Sequence, residues 1–218
     1  ESAERISKKL GNEGYAFANV NTIPEVNEET KQVEVIFFVD PGKRVYVRRV
    51  NTKGNTRTRD EVLRREIRQM EAAWFSTELV SRSRERLQRL GYFEEVNVET
   101  PAVAGSADEV DIDVTVKEKD SGNLLAGIGY SQSQGIIFNS SISQNNFLGT
   151  GKRVSFAFNN SSSNRLYRLG YTNPYYTIDG ISRGFELSYR ETDFDQLNSV
   201  DYLTDVGVAG MTFGLPIS

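Results

Sequence analysis

The sequence predicts two α+β modules of order β-α-α-β-β, the first represented by its C-terminal part, then an antiparallel transmembrane β-barrel segment. Three observations carry this reading. Charge stops at one point: of 56 Asp, Glu, Lys and Arg residues, 43 precede Gly122 and 13 follow. Landmarks recur 77 positions apart, Gly14-Tyr15 at Gly91-Tyr92 and Val33–Val39 at Val110–Val116, the sign of a duplicated module of about 75 residues. Beyond Gly122 come short runs of alternating apolar and polar residues, broken by Gly, Asn and Ser. That period of two fits strands with one apolar face.

In the first copy, residues 3–10 form a helix closed at Gly14-Tyr15, and two strands follow, one of them Val33–Val39. The second copy is complete. Residues 44–51 form a strand with Val45, Val47 and Arg49 on one face, and Lys53-Gly54-Asn55 is a turn. Thr58 with Glu61 has the spacing of a capping box. The helix it opens sets Val62, Leu63, Ile67 and Met70 on one stripe. Ser76 caps a second helix, with Leu79, Val80, Leu87 and Leu90 inward and Arg82, Arg86 and Arg89 outward; Gly91 suits its C-terminal cap. Two strands close the module, near 94–100 and 108–117.

In the second half, Leu124, Ala126, Ile128 and Tyr130 share a face, as do Ile136, Phe138 and Ile142. Val154, Phe156 and Phe158 form the third such set, Tyr167, Leu169 and Tyr171 the fourth, and Phe185, Leu187 and Tyr189 the fifth. A sixth run, 202–215, is rich in Gly and its faces are left unassigned. A soluble sandwich also alternates. Sparse charge, most of it opposite the aromatics, and faces rich in Tyr and Phe favour a lipid-facing band with aromatic girdles. Six strands cannot close in lipid, because a free edge would leave backbone groups unpaired. The chain is therefore expected to be a portion of a longer protein, trimmed at both ends.

Composition removes several classes of function. Net charge is −4, too acidic for a nucleic-acid partner. With no Cys and no His, there is no thiol chemistry, no imidazole base and no catalytic triad. No apolar run approaches the roughly 18 residues of a membrane helix. Gly149-Thr150-Gly151-Lys152 lacks the flanking residues of a phosphate loop, since Asn146 and Arg153 stand where Gly and Ser or Thr are needed. It reads as a turn between strands. Asp193, Asp195, Asp201 and Asp205 fit no calcium-loop spacing and read as a solvated face. No enzyme, cofactor or metal site is expected.

Two segments are long and ordered: Val62-Leu63-Arg64-Arg65-Glu66-Ile67-Arg68-Gln69-Met70-Glu71-Ala72-Ala73-Trp74, and Arg86-Leu87-Gln88-Arg89-Leu90-Gly91-Tyr92-Phe93. With Gly127-Ile128-Gly129-Tyr130, Asn146–Gly151 and Thr172-Asn173-Pro174-Tyr175-Tyr176, they resemble the BamA family of POTRA-barrel proteins, central subunits of the bacterial outer-membrane β-barrel assembly machinery. The resemblance covers nearly the whole chain. It implies the end of one POTRA domain over 1–42, a complete last POTRA over 43–120 and the start of a barrel over 121–218. About six of an expected sixteen or so strands would be present. It implies assembly and insertion of barrel proteins at the outer membrane, with POTRA domains in the periplasm. Partners would be unfolded clients, lipoprotein subunits and the bilayer. The family's inward loop motif belongs to the later barrel, and Arg183-Gly184-Phe185 is not assigned that role.

Three sites are expected. Strand Glu95, Val96, Asn97, Val98 and Glu99 would lie at the POTRA sheet edge, open to β-augmentation by a client; a merely exposed edge defended by Glu94, Glu95 and Glu99 is the competing reading. The first barrel strand, Asn123, Leu124, Leu125, Ala126, Gly127, Ile128, Gly129 and Tyr130, would form a weak lateral gate; Gly127 and Gly129 soften it, unless they serve ordinary barrel bends. Arg64 and Glu71, seven apart and so near one helical face, take by resemblance the role of binding a BamD-like lipoprotein; as bare surface charges they would be worth little. Other functions remain open. One is a two-partner-secretion transporter, decided by the number of POTRA domains. Another is a simple porin or adhesin, against which the Arg68–Trp74 segment speaks.

Overall fold

Val110, Ile112, Val114 and Val116 are buried, and the residues between them are less so. That alternation makes the central strand of the complete module. The computed structural model describes residues 1–27, 32–193 and 202–216, which divide into two units, Glu1–Lys119 and Asp120–Ser218.

In the first unit, α1 (Ser2–Asn12) precedes an antiparallel pair, β1 (Asn19–Asn27) and β2 (Gln32–Asp40). Then come β3 (Tyr46–Lys53), α2 (Asp60–Arg64), α3 (Thr77–Arg89), β4 (Phe93–Glu99) and β5 (Glu109–Glu118), the β-α-α-β-β order. The sheet runs β3-β5-β4, with β5 parallel to β3 and antiparallel to β4. Val62, Leu63 and Leu87 from the helices join Val47, Val50, Val96 and the four buried β5 residues in one core. Each such side chain contributes on the order of 1.5–3 kcal/mol. Polar residues pair between β3 and β5, Arg48 with Asp111 at 2.5 Å and Lys53 with Asp113 at 2.9 Å. Ser76 caps α3 as expected, its side chain accepting from the Leu79 N–H, and Gly91 follows with φ +72°.

Four sequence expectations are corrected. A bulge between Val47 and Arg49 inserts one residue into β3, so the inward face passes to Val50 and Arg49 is exposed. α2 stops at Arg64 after five residues; Val62 and Leu63 are buried, Ile67 is packed at the core's margin and Met70 is 74% exposed. No capping box forms: Arg59 occupies the cap position without a side-chain bond. Arg86 turns toward the buried Glu66 carboxylate, 2.8 Å away.

The second unit is an antiparallel meander: β6 (Gly122–Ser131), β7 (Gly135–Phe147), β8 (Lys152–Asn160), β9 (Asn164–Asn173), β10 (Ser182–Asp193) and β11 (Leu203–Gly214). Leu124, Ile142, Phe156, Leu169, Leu187 and Ala209 lie in one row across all six strands. On the opposite face, Asn123, Ser143, Ser155, Gly170, Glu186 and Gly210 form the matching polar row. Register also assigns the sixth run, placing Met211, Ala209 and Gly207 on the apolar side. The apolar side chains are exposed, Leu124 at 76% and Tyr130 at 77%, where a soluble sandwich would bury them under a second sheet. A one-sided apolar sheet of this kind is a piece of barrel wall.

Candidate functional site

The outer side of β3 is occupied. Residues 72–75 lie along it: the Val47 N–H donates to the Ala73 carbonyl (3.0 Å), the Ala72 N–H to the Val47 carbonyl (2.7 Å) and the Phe75 N–H to the Val45 carbonyl (3.1 Å). Buried Gln69 shapes this segment; its side-chain amide donates to the Trp74 carbonyl (3.0 Å) and its carbonyl accepts from the Ser76 N–H (2.9 Å). The other edge of the sheet, β4, pairs with β5 alone. Its Phe93 and Val96 face the core, while Glu94, Glu95, Asn97 and Glu99 are exposed. Glu94 bonds to the Lys117 ammonium at 2.9 Å, which holds its carboxyl below the usual range. The row Glu95–Glu99 thus offers unpaired backbone groups on one side, flanked by acidic side chains.

Arg64 and Glu71 do come together, by a route other than one helical face. Arg64 ends α2 and Glu71 lies beyond it. Their side chains approach to 3.9 Å, each about half exposed. Val50 joins them: its N–H donates to Glu71 Oε1 at 2.8 Å, and its carbonyl accepts from Arg64 Nη2 at 3.4 Å. Arg64 also pairs with Asp60, whose carboxyl is held low by the Thr52 hydroxyl and by Arg64. Val50, Ile67, Gln69 and Met70 line a cavity of about 320 Å³ beside the pair. Exposed Met70 and Trp74, the latter stacked on Tyr46 at 3.7 Å, flank the same segment. Sequence reasoning passed over them because Met70 fits a helical stripe; its place after an early helix stop is what exposes it.

The first barrel strand lies at the end of its sheet. β6 pairs with β7 alone, from Gly122↔Gln144 to Ser131↔Gly135. A Cβ at Gly127 would meet Asn139 Oδ1 at 2.5 Å, whereas one at Gly129 would meet nothing nearer than 4.0 Å. β4 and the Arg64–Glu71 pair belong to the first unit and β6 to the second. Gly149-Thr150-Gly151 lies in the β7–β8 turn, where the Gly151 N–H donates to Asn146 Oδ1 at 2.8 Å. Of the four aspartates, Asp195 and Asp201 lie outside the described residues; no group able to hold a metal occurs among those described.

A strand-helix-helix-strand-strand module ahead of an amphipathic antiparallel meander defines an outer-membrane barrel protein with periplasmic POTRA domains. The chain belongs to the POTRA family (surface antigen variable number repeat), matched at residues 1–42 and 45–119, and residues 146–218 match the Omp85 superfamily domain. It is 34% identical to the outer membrane protein assembly factor BamA of Neisseria meningitidis over 98% of its own length. To BamA of Nitratidesulfovibrio vulgaris it is 31% identical over 88%. It spans 27% and 24% of those relatives' lengths. The solved structure of Haemophilus ducreyi BamA lacking POTRA domains 1–3 superposes with a TM-score of 0.79 and 40% identity, over 88% of this chain and 36% of that one. CdiB from Escherichia coli, at 16% identity and a TM-score of 0.52 over 87% of this chain and 35% of that one, shares the fold alone.

Proposed function

We propose that this chain is the junction region of an outer-membrane β-barrel assembly factor, which folds client proteins by lending them strand edges. The first barrel strand, Asn123–Tyr130, templates a client's terminal strand through main-chain hydrogen bonds. The POTRA edge Glu95–Glu99 holds the client beforehand. No covalent step, nucleotide or cofactor takes part. Residues 1–42, 43–120 and 121–218 are read as the end of one POTRA domain, the last POTRA domain and the start of the barrel.

The observation that carries this is an asymmetry of edges. β3 is covered by residues 72–75 and Glu71, while β4, the other edge of the same sheet, has one partner strand. A protein that only had to be stable would cover both. Single cysteines along 123–130 of the full-length protein, paired with cysteines in a client's terminal strand, test the templating. Disulfides should form at one fixed register, alternating with a period of two; indiscriminate or absent crosslinking would contradict it.

The Arg64–Glu71 pair is read as the docking point of a BamD-like lipoprotein. Glu71 has a second task, accepting from the Val50 N–H, so charge reversal would disturb β3 as well. Glu71→Gln keeps the acceptor and removes the charge. Partner capture should fall at least severalfold while the module's stability changes little; undiminished capture would count against the assignment.

A further inference from the structure

The apolar face of the six-stranded sheet ends in different charge at its two borders. At the border of the 132–134 and 161–163 turns, Arg165 pairs with Glu191 at 3.3 Å, and Asp205 lies next in register. At the opposite border the charged residues on this face are Lys152, two before Val154, and Arg183, two before Phe185. Arg183 lies opposite Asn173, and Lys152 continues the β8–β9 ladder one step beyond Arg153↔Thr172. Lys152, Asn173 and Arg183 therefore form one cross-strand row, in steps of roughly 5 Å.

The Arg183 guanidinium stacks on Tyr176, 3.7 Å from the ring centroid, and lies 5.1 Å from that of Phe185. Its Nε is buried without a hydrogen-bond partner. Neither cation has an ion pair among the described residues, and Asp179 in the adjoining link pairs with neither. A lipid-facing cation is tolerated only at the interface depth. There a guanidinium fixed by an aromatic ring presents its fork of donors to a phosphodiester.

We propose that Lys152, Asn173, Tyr176 and Arg183 bind the headgroup of an anionic glycerophospholipid, its acyl chains lying along Tyr171, Phe185 and Met211. The site rests on the sheet facing a bilayer. Because β6 starts directly after the periplasmic modules, antiparallel order sets this border in the periplasmic leaflet.

Delipidated full-length protein, its folding checked by heat-modifiable gel mobility, would be offered phosphatidylglycerol, phosphatidylcholine or inorganic phosphate and read by native mass spectrometry. Phosphatidylglycerol should be retained about tenfold better than phosphatidylcholine. Arg183→Gln and Lys152→Gln should each remove most of that preference, Arg183→Lys only part. Arg190→Gln, on the polar face, should leave it intact. Unchanged retention in folded Arg183→Gln/Lys152→Gln protein would overturn the site, as would binding of inorganic phosphate without lipid preference. Failure of the unaltered protein to retain any lipid would instead overturn the bilayer-facing sheet on which the site rests.

Discussion

Thr58 and Glu61 have the spacing of a capping box, yet Thr58 lies one residue before the cap position and its amide donates to a carboxylate from the far end of the module. Glu118 accepts from the Thr56 hydroxyl (2.9 Å) and from the Arg57 (3.0 Å) and Thr58 (2.7 Å) amides. Burial opposes its charge; the Thr58 hydroxyl, those two amides and the Thr56 hydroxyl overcome it and hold the carboxyl at about 2, below the usual 4.5. A depressed carboxyl stabilises the fold above its unfolded value and gives that up as pH falls to its folded value. The contribution is full above about pH 4.5 and lost toward pH 2. Glu118→Gln should cost on the order of 1–3 kcal/mol at pH 7 and flatten acid sensitivity in that window. Urea unfolding followed by Trp74, the chain's single tryptophan, reports this module; an unchanged acid slope would refute the assignment. Gly54, at φ +86°, would place a Cβ 2.0 Å from the Val116 carbonyl oxygen, so Gly54→Ala should cost about 2 kcal/mol or more in the same assay.

Among the elements, the end of α1 and the turn after it, residues 11–15, join the two modules of the first unit. Asn12 Oδ1 accepts from the Glu78 N–H at 2.8 Å, sharing the cap of α3 with Ser76. The Val45 N–H donates to the Gly14 carbonyl at 2.9 Å, and Arg44 Nε donates to the Glu13 carbonyl at 2.7 Å. Asn12→Ala should cost about 1 kcal/mol, seen as faster hydrogen exchange at the first amides of α3. A Cβ on Gly11 would meet Thr77 Oγ1 at 2.1 Å. Gly11→Ala should therefore loosen the joint and Thr77→Ala should restore it; independent effects would contradict this contact. None of these links was legible beforehand, because each joins residues far apart in sequence. The same holds for the bulge at Arg48 and the early end of α2. Periodicity reports which face is apolar, not where a distant acceptor ends the ladder.

Across the whole molecule, the large divisions were legible. The fall in charge at Ser121, the 77-residue offset and the period of two each follow from what a segment must bury, which composition records directly. Strand faces were readable wherever apolar residues alternate with polar ones, as in Tyr167–Tyr171. In β11 the glycines at 207 and 210 erase the contrast, and only pairing with β10 assigns the faces. Edges were less legible still, since whether a strand is covered depends on residues such as Gln69 and Glu71 that arrange a neighbouring loop. On the proposed function, β6 works by exchanging partners. A disulfide joining it to the last barrel strand of the full-length protein tests that most directly, as the chain has no cysteine of its own. Client insertion should stop in the oxidised form and return on reduction; insertion at the normal rate with the strands locked would contradict the account.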